Sequence, residues 1–247
     1  MSLTAGPQPT IAGVSRTTAA LSAMPATGGT GAISYQWYRS STYNFVPSTT
    51  TQVSGQTSWV LNDSKLVPNT IYYYILIATD STTPTPVSAV YPQVGLLTDG
   101  PSICNYAYPQ VTDFMGFFVD DFPYGPDART QFPPYRILIG MQMANTSFFN
   151  PEFFGDQASF SNGFMFLAAH YMVMNIRRAS QGMKGQFGFL QNSKTAGISV
   201  GIEIPQRIKD NPDFAWLCQT NYGSTYLHMI LPQLTGQMWA SPTVTNP

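Results

Sequence analysis

At 247 residues the chain is long enough for one large or two modest domains, and an apolar share of 43% supplies a core. Charged residues make up only 9% and the net charge is −1, which excludes a global electrostatic footprint for nucleic acid. The two cysteines, Cys104 and Cys218, lie far apart and provide neither a disulfide framework nor a metal signature.

So little charge, against roughly 25% in an ordinary soluble domain, leaves Ser, Thr, Asn and Gln to keep the surface wet. Such a surface suits a protein packed against neighbours. The opening MSLTAGPQPT has no basic segment followed by an apolar core, so no secretory signal is expected and synthesis in the cytoplasm is.

Residues 1–98 are rich in Thr, Ser and Pro and show no helical period. Alternation predicts strands at Thr10–Val14, Ala19–Met24, Ser34–Arg39, Ser58–Leu61, Ile71–Thr79 and Val87–Tyr91, separated by turn groups such as Gly28-Gly29-Thr30-Gly31 and Pro68-Asn69. Short strands at this spacing indicate an all-β sandwich. Trp37 sits in mid-strand, and alternation puts it with Tyr35 on one face, the expected core. The run Leu66-Val67-Pro68-Asn69-Thr70-Ile71-Tyr72 resembles the fibronectin type III pattern Leu-x-Pro-x-Thr-x-Tyr. There the Tyr, here Tyr72, hydrogen-bonds back to the backbone and closes a corner. The resemblance implies an immunoglobulin-like, fibronectin type III sandwich, and without a cysteine pair it is not of the antibody type. Sugar binding by Tyr35, Trp37, Tyr38, Tyr43 and Trp59 is the alternative use of these aromatics.

Thr98-Asp99-Gly100-Pro101-Ser102 reads as a linker by composition. The domains are then 1–98 and 103–236, with the linker at 99–102. Beyond it aromatics and Met become dense. Tyr135–Asn145 is a predicted helix, started after Pro133-Pro134. Asp156–Gly182 reads as one helix of about seven turns. Phe160, Phe164, Leu167, Ala168, Tyr171, Met174, Asn175 and Arg178 form one stripe at steps of three and four. The opposite face is apolar too, so the helix is expected at the centre of a bundle or in a subunit interface. Asp156 and Ser159 are candidate N-caps.

Ile198, Val200, Ile202 and Ile204 alternate strictly with Gly between them, which predicts an edge strand or a projecting hairpin arm. Asn211-Pro212-Asp213 caps a last helix. Gly223 weakens or splits it, and Pro232 and Gly236 end it. An extended, charge-free tail, 237–247, follows with Trp239 as its anchor.

No nucleophile, carboxylate pair or ligand set accompanies His170 and His228, so both are expected in a core or interface, and neither an enzyme nor a bound cofactor is expected. Asp120-Asp121 reads as a solvated loop rather than half of an ion site. Gly182 to Gly188 lacks the Lys-Ser/Thr ending of a phosphate loop. Basic residues cluster from Arg177 onward. Arg177, Arg178, Lys184 and Lys194 are candidates for contact with DNA phosphates; solvated charge or pairing between subunits is the alternative.

The second part also carries an ordered set: Asp113-Phe114 to Phe122-Pro123, then Leu167-Ala168-Ala169-His170, a Gly-rich loop, Gly197 to Gly201, and Trp216-x-x-x-Thr220-x-Tyr222-Gly223-x-x-Tyr226. Together these resemble the head-to-tail adaptor (connector) proteins of tailed bacteriophages over about 125 residues. The resemblance implies a mainly α bundle in a homo-oligomeric ring, typically twelve-fold, in the virion neck, with DNA passing through its channel. It implies as partners the portal protein and a tail, stopper or terminator protein; the sandwich, which compact members of that family lack, is a separate expected site of contact with capsid, tail or host surface, and no membrane is expected. Ile198, Val200, Ile202, Ile204 and Trp239 are the expected assembly residues, because a strand and a tail without intradomain partners suit pairing with another chain. The rival reading is a tail or baseplate protein whose sandwich binds host glycan, and a third is a virion lysin.

Overall fold

The computed structural model describes residues 2–81, 84–100, 106–126, 131–147, 149–181, 194–195, 198–199 and 211–239. It has an N-terminal β-sandwich of antiparallel sheets and a C-terminal helical part. Strands β1 (Thr10–Val14), β2 (Thr18–Ser22) and β4 (Val60–Ser64) make one sheet in the order β1-β2-β4. The other is built on β5 (Ile71–Asp80), paired on one side with β3 (Ile33–Ser40). On its other side β6 (Ser88–Val90) and β7 (Val94–Leu97) pair with successive stretches of β5: Ile77 is opposite Val90 and Ile71 opposite Leu97. Pro92 falls between β6 and β7, and without an N–H it cannot continue a ladder. The β7 strand is absent from the sequence expectation, since Val94-Gly95-Leu96-Leu97 is short and does not alternate.

Trp37 and Leu76 are fully buried between the sheets, and Tyr35 is nearly so, as alternation predicts. The Tyr72 corner also forms: the Tyr72 hydroxyl accepts the Val67 N–H at 3.0 Å, five residues upstream. A second polar tie crosses the sheets. Asp63 of β4 accepts from Arg39 Nη1 of β3 at 2.7 Å and from the Tyr74 hydroxyl of β5 at 2.8 Å. Burial and the Asp63 carboxylate together push the Tyr74 hydroxyl well above the usual tyrosine range.

The helical part comprises α1 (Val111–Phe117), α2 (Pro134–Thr146), α3 (Gln157–Gln181), α4 (Pro212–Leu217) and α5 (Asn221–Trp239). Asp156 is the cap of α3; its carboxylate accepts the Ser159 N–H at 2.9 Å. The middle of α3, Leu167 to Met172, is buried on every side, so this helix is the centre of the bundle. Two boundaries differ from expectation. The chain breaks at Cys218–Thr220, ahead of Gly223 rather than at it. And α5 runs through Pro232 and Gly236 to Trp239, so the first residues expected as extended tail are helical. Tyr226, Leu227 and Ile230, buried one or two turns earlier, anchor the helix against a proline that costs an isolated helix about 3 kcal/mol.

The two parts share one core. Ile71 and Tyr73 of β5 and Leu97 of β7 belong to the cluster formed by Leu138, Met141 and the α3 side chains. One end of β5 is therefore buried on both faces, which is why it reads as the nearly continuous apolar run IYYYILIA. Leu138 lies against Gly95, where a Cβ would meet Leu138 Cδ1 at 2.8 Å and the Tyr73 ring at 2.9 Å. Tyr43 of the sandwich stacks on Tyr135 of α2 at 4.3 Å. The residues read as the start of a linker are packed as well: Thr98 is fully buried, and its hydroxyl donates to the Val67 carbonyl at 2.7 Å.

Asn69 closes this junction. Its φ of +50° is left-handed, a conformation Asn tolerates better than most residues. From there its Nδ2 donates to Thr146 Oγ1, its Oδ1 and carbonyl accept from Asn145 and Gln142 of α2, and its N–H reaches the Asp99 carbonyl. Asn69→Gly, which loses the two side-chain bonds without backbone strain, is expected to lower stability by about 1–2 kcal/mol. Asn69→Ala, which adds left-handed strain, is expected to cost about 1 kcal/mol more. Urea unfolding followed by tryptophan fluorescence and by far-ultraviolet dichroism checks both. The two probes should report coincident transitions, as one shared core requires.

Candidate functional site

Two of the pieces that carried the resemblance, Leu167 to His170 and Trp216 to Tyr226, meet at one buried point; the Gly-rich loop and most of Gly197 to Gly201 lie outside the described residues. His170 projects from the centre of α3 and is completely buried. Its Nδ1 lies 2.7 Å from Thr220 Oγ1. Thr220 is the N-cap of α5, and the same Oγ1 accepts the Gly223 N–H at 2.9 Å. One Thr220 oxygen thus joins the imidazole to the first turn of α5. Nε2 is buried without a hydrogen-bond partner. Around it stand Trp216, perpendicular with ring centres 4.1 Å apart, and Tyr171 at 5.9 Å.

The spacing Thr-x-x-Gly now has a physical reason. Thr220 must cap the helix, and the third residue after it is pressed between two elements. A Cβ on Gly223 would stand 2.2 Å from the Leu217 carbonyl oxygen and 2.5 Å from His170 Nδ1. Tyr222, next to it, packs on Phe118 and Phe122 at 5.4 and 5.5 Å, which ties the end of α1 to α5.

Burial, reinforced by the Arg177 charge, pushes the His170 pKa down to about 4. The ring is thus a neutral packing and hydrogen-bonding element at physiological pH. The described residues contain no group of three or more His, Cys, Asp or Glu able to hold a metal ion. None of their helices is long and apolar enough to cross a membrane.

The other sequence-derived candidates do not converge. Arg177 turns inward, its Nη1 donating to the Gln219 carbonyl at 2.6 Å, so it braces the α4–α5 turn against α3. Arg178 is exposed. Ile198 and Lys194 lie in a two-strand antiparallel hairpin, β8 (Lys194–Thr195) and β9 (Ile198–Ser199), with Lys194 opposite Ser199 and Thr195 opposite Ile198. A hairpin arm is one of the two forms expected for 195–205, of which 196–197 and 200–205 lie outside the described residues. Val200, Ile202, Ile204 and Lys184 lie outside the described residues, as do Cys104 and the Gly182 to Gly188 segment. Trp239 is the last residue of α5. Asp120 and Asp121 are exposed on the turn after α1. The sandwich aromatics form no common platform. Tyr35 and Trp37 are buried, Tyr38 is half-buried, and the exposed Tyr43 and Trp59 lean on different neighbours, Tyr135 of α2 and Tyr35.

Sequence reasoning placed His170 in a core but missed its partner. The signal was present: Thr220 and Gly223 stand at N-cap and third-residue spacing, although the expected helix began earlier and concealed it.

Gly223→Ala is expected to destabilise by about 3 kcal/mol or abolish folding, since backbone and a buried ring both block the added methyl. Thr220→Val, which leaves Gly223 N–H and His170 Nδ1 unpaired, is expected to cost about 2–4 kcal/mol in denaturant titrations. The depressed His170 pKa also sets a pH dependence. Between its unfolded value of 6.5 and about 4 the unfolded chain binds the extra proton. Stability is therefore complete above that range and falls as pH drops through it, by about 3 kcal/mol in all. His170→Phe should flatten this part of the stability–pH curve.

No family model matches the chain, and no curated protein matches it. Among solved structures it is similar to the solution structure of the fibronectin type-III domain of human fibronectin type III domain containing protein 3. That similarity is 16% identical, covers 42% of this chain and 94% of that one, and has a TM-score of 0.32.

Proposed function

We propose that the chain is a structural protein of a tailed-phage virion. Its helical part is the head-to-tail adaptor, assembling as a ring between portal and tail with DNA passing through the channel. One observation carries the reading. His170 from the long helix, and Trp216, Thr220 and Gly223 from the last pattern, are far apart in sequence yet close on a single point. These two patterns lock α3 to the start of α5. The finer assignment of the sandwich as fibronectin type III is part of the proposal, supported by the Tyr72 corner and by the division of strands between the sheets.

In this reading the work is assembly and no bond is made or broken. The sandwich decorates the neck, held in a fixed attitude by the Asn69 junction. Among the described basic candidates Arg178 and Lys194 are left for contact with passing DNA, since Arg177 is engaged inside the subunit. The test is cryo-electron microscopy of the particle that carries this chain. Expected is one ring directly below the portal, with a β-sandwich on each subunit at the outside. Density at the tail tip would instead move the function to host recognition, and absence from the particle would end the structural-protein reading.

A further inference from the structure

Two surfaces of the helical part are complementary and cannot meet within one copy. The first is a groove of about 290 Å³ between α2 and α3, lined by Phe132, Tyr135, Ile139, Met172 and Ile176 together with the polar Arg136 and Asn175. Its volume is at the low limit of small-molecule sites, on the order of 300–1,000 Å³, and suits one or two apolar side chains. Ile139 is 39% exposed in it. The Arg136 guanidinium makes no ion pair or hydrogen bond among the described residues. The second surface is the knob at the end of α1. Phe117 is 42% and Val119 65% exposed, and the exposed carboxylates of Asp120 and Asp121 follow directly.

The knob is an apolar pair flanked by acids; the groove is an apolar slot flanked by an unpaired cation. The knob stands against Phe166, its Phe117 ring 5.6 Å away. On an α-helix Phe166 lies roughly 100° around the axis from the Met172–Ile176 face and about 12 Å back along it. The knob and the groove of one copy therefore sit on different flanks of α3.

We propose that the α2–α3 groove receives the Phe117–Asp121 knob of a second copy of this chain, with Asp120 of one copy meeting Arg136 of the other. Because the two patches differ, the contact is head-to-tail, the kind that closes into a ring when its rotation allows. Opposite charge at the rim sets register and orientation. The inference rests on the ring reading above and supplies its subunit contact.

The test uses the full chain in a Cys104→Ser, Cys218→Ser background. Val119→Cys and Ile139→Cys variants are oxidised separately and mixed, once as purified protein at high concentration and once co-incorporated in particles. Expected in both settings is a covalent dimer from the mixture and none from either variant alone. Adding Arg136→Asp to the Ile139→Cys variant should reduce dimer yield at least tenfold, and adding Asp120→Arg to its partner should restore it. Val119–Val119 dimers, cross-links from Ile139→Cys to a different protein, or an intrachain bond in a chain carrying both cysteines would each overturn the proposal. A chain present in a ring below the portal without the mixed dimer overturns this contact and spares the adaptor reading. A mixed dimer in solution from a chain absent from particles does the reverse, and absence of both removes both.

Discussion

The helical part depends on one imidazole kept neutral in a dry place. A charged ring at His170 would face the full desolvation cost of an ion with no carboxylate to meet it, and Arg177 adds repulsion. The neutral ring avoids that cost, and Thr220 meets its Nδ1 while also starting α5. One hydroxyl thus fixes where a helix begins and which face of α3 it meets. Tyr222 and Tyr226 follow from that choice. The first is carried onto the α1 rings, and the second into full burial.

Charge has little other part in the architecture. Among the described residues a single ion pair is formed, Arg39 with Asp63, and it owes its place to the buried side of Asp63 and the Tyr74 hydroxyl beside it. Cohesion comes instead from rings. Tyr108 meets Phe160 and Phe164 edge-on at 5.0 and 5.2 Å, and Phe149 covers both. Amides finish the work where the two parts meet, as Asn69 does with three residues of α2. A composition with 9% charge is therefore no deficit in this chain; its polar ties are made by uncharged groups.

Much of this was legible in the sequence, for physical reasons. Strands β2 to β5 and helix α3 were visible because each buries a face, and burial writes a period into the chain. The Tyr72 corner was visible because a hydrogen bond to a nearby backbone group needs a local pattern. What stayed hidden is non-local. Composition makes Thr98 and Asp99 look like linker residues, yet what surrounds them is the Pro68–Thr70 turn and α2, and no local pattern encodes that. The β7 strand hid because its register is set by β5, not by its own alternation. Pro232 misled for the same reason: packing of the preceding turns outweighed a local helix breaker. Of the site, His170 was visible as a buried histidine, whereas its pairing with Thr220 required knowing where α5 begins.

The glycine at position 95 has a consequence for how such a chain can be rearranged. A β-domain hung on a string can be exchanged between proteins like a cassette. This one cannot, because Leu138 of α2 occupies the space a side chain on β7 would fill, and Ile71 and Tyr73 face the helices rather than the interior of their own sandwich. Severing the halves would bare an apolar strip on each. A recombination breakpoint near residue 100 would deliver two mismatched surfaces instead of two domains, so the sandwich and the bundle are inherited as a unit.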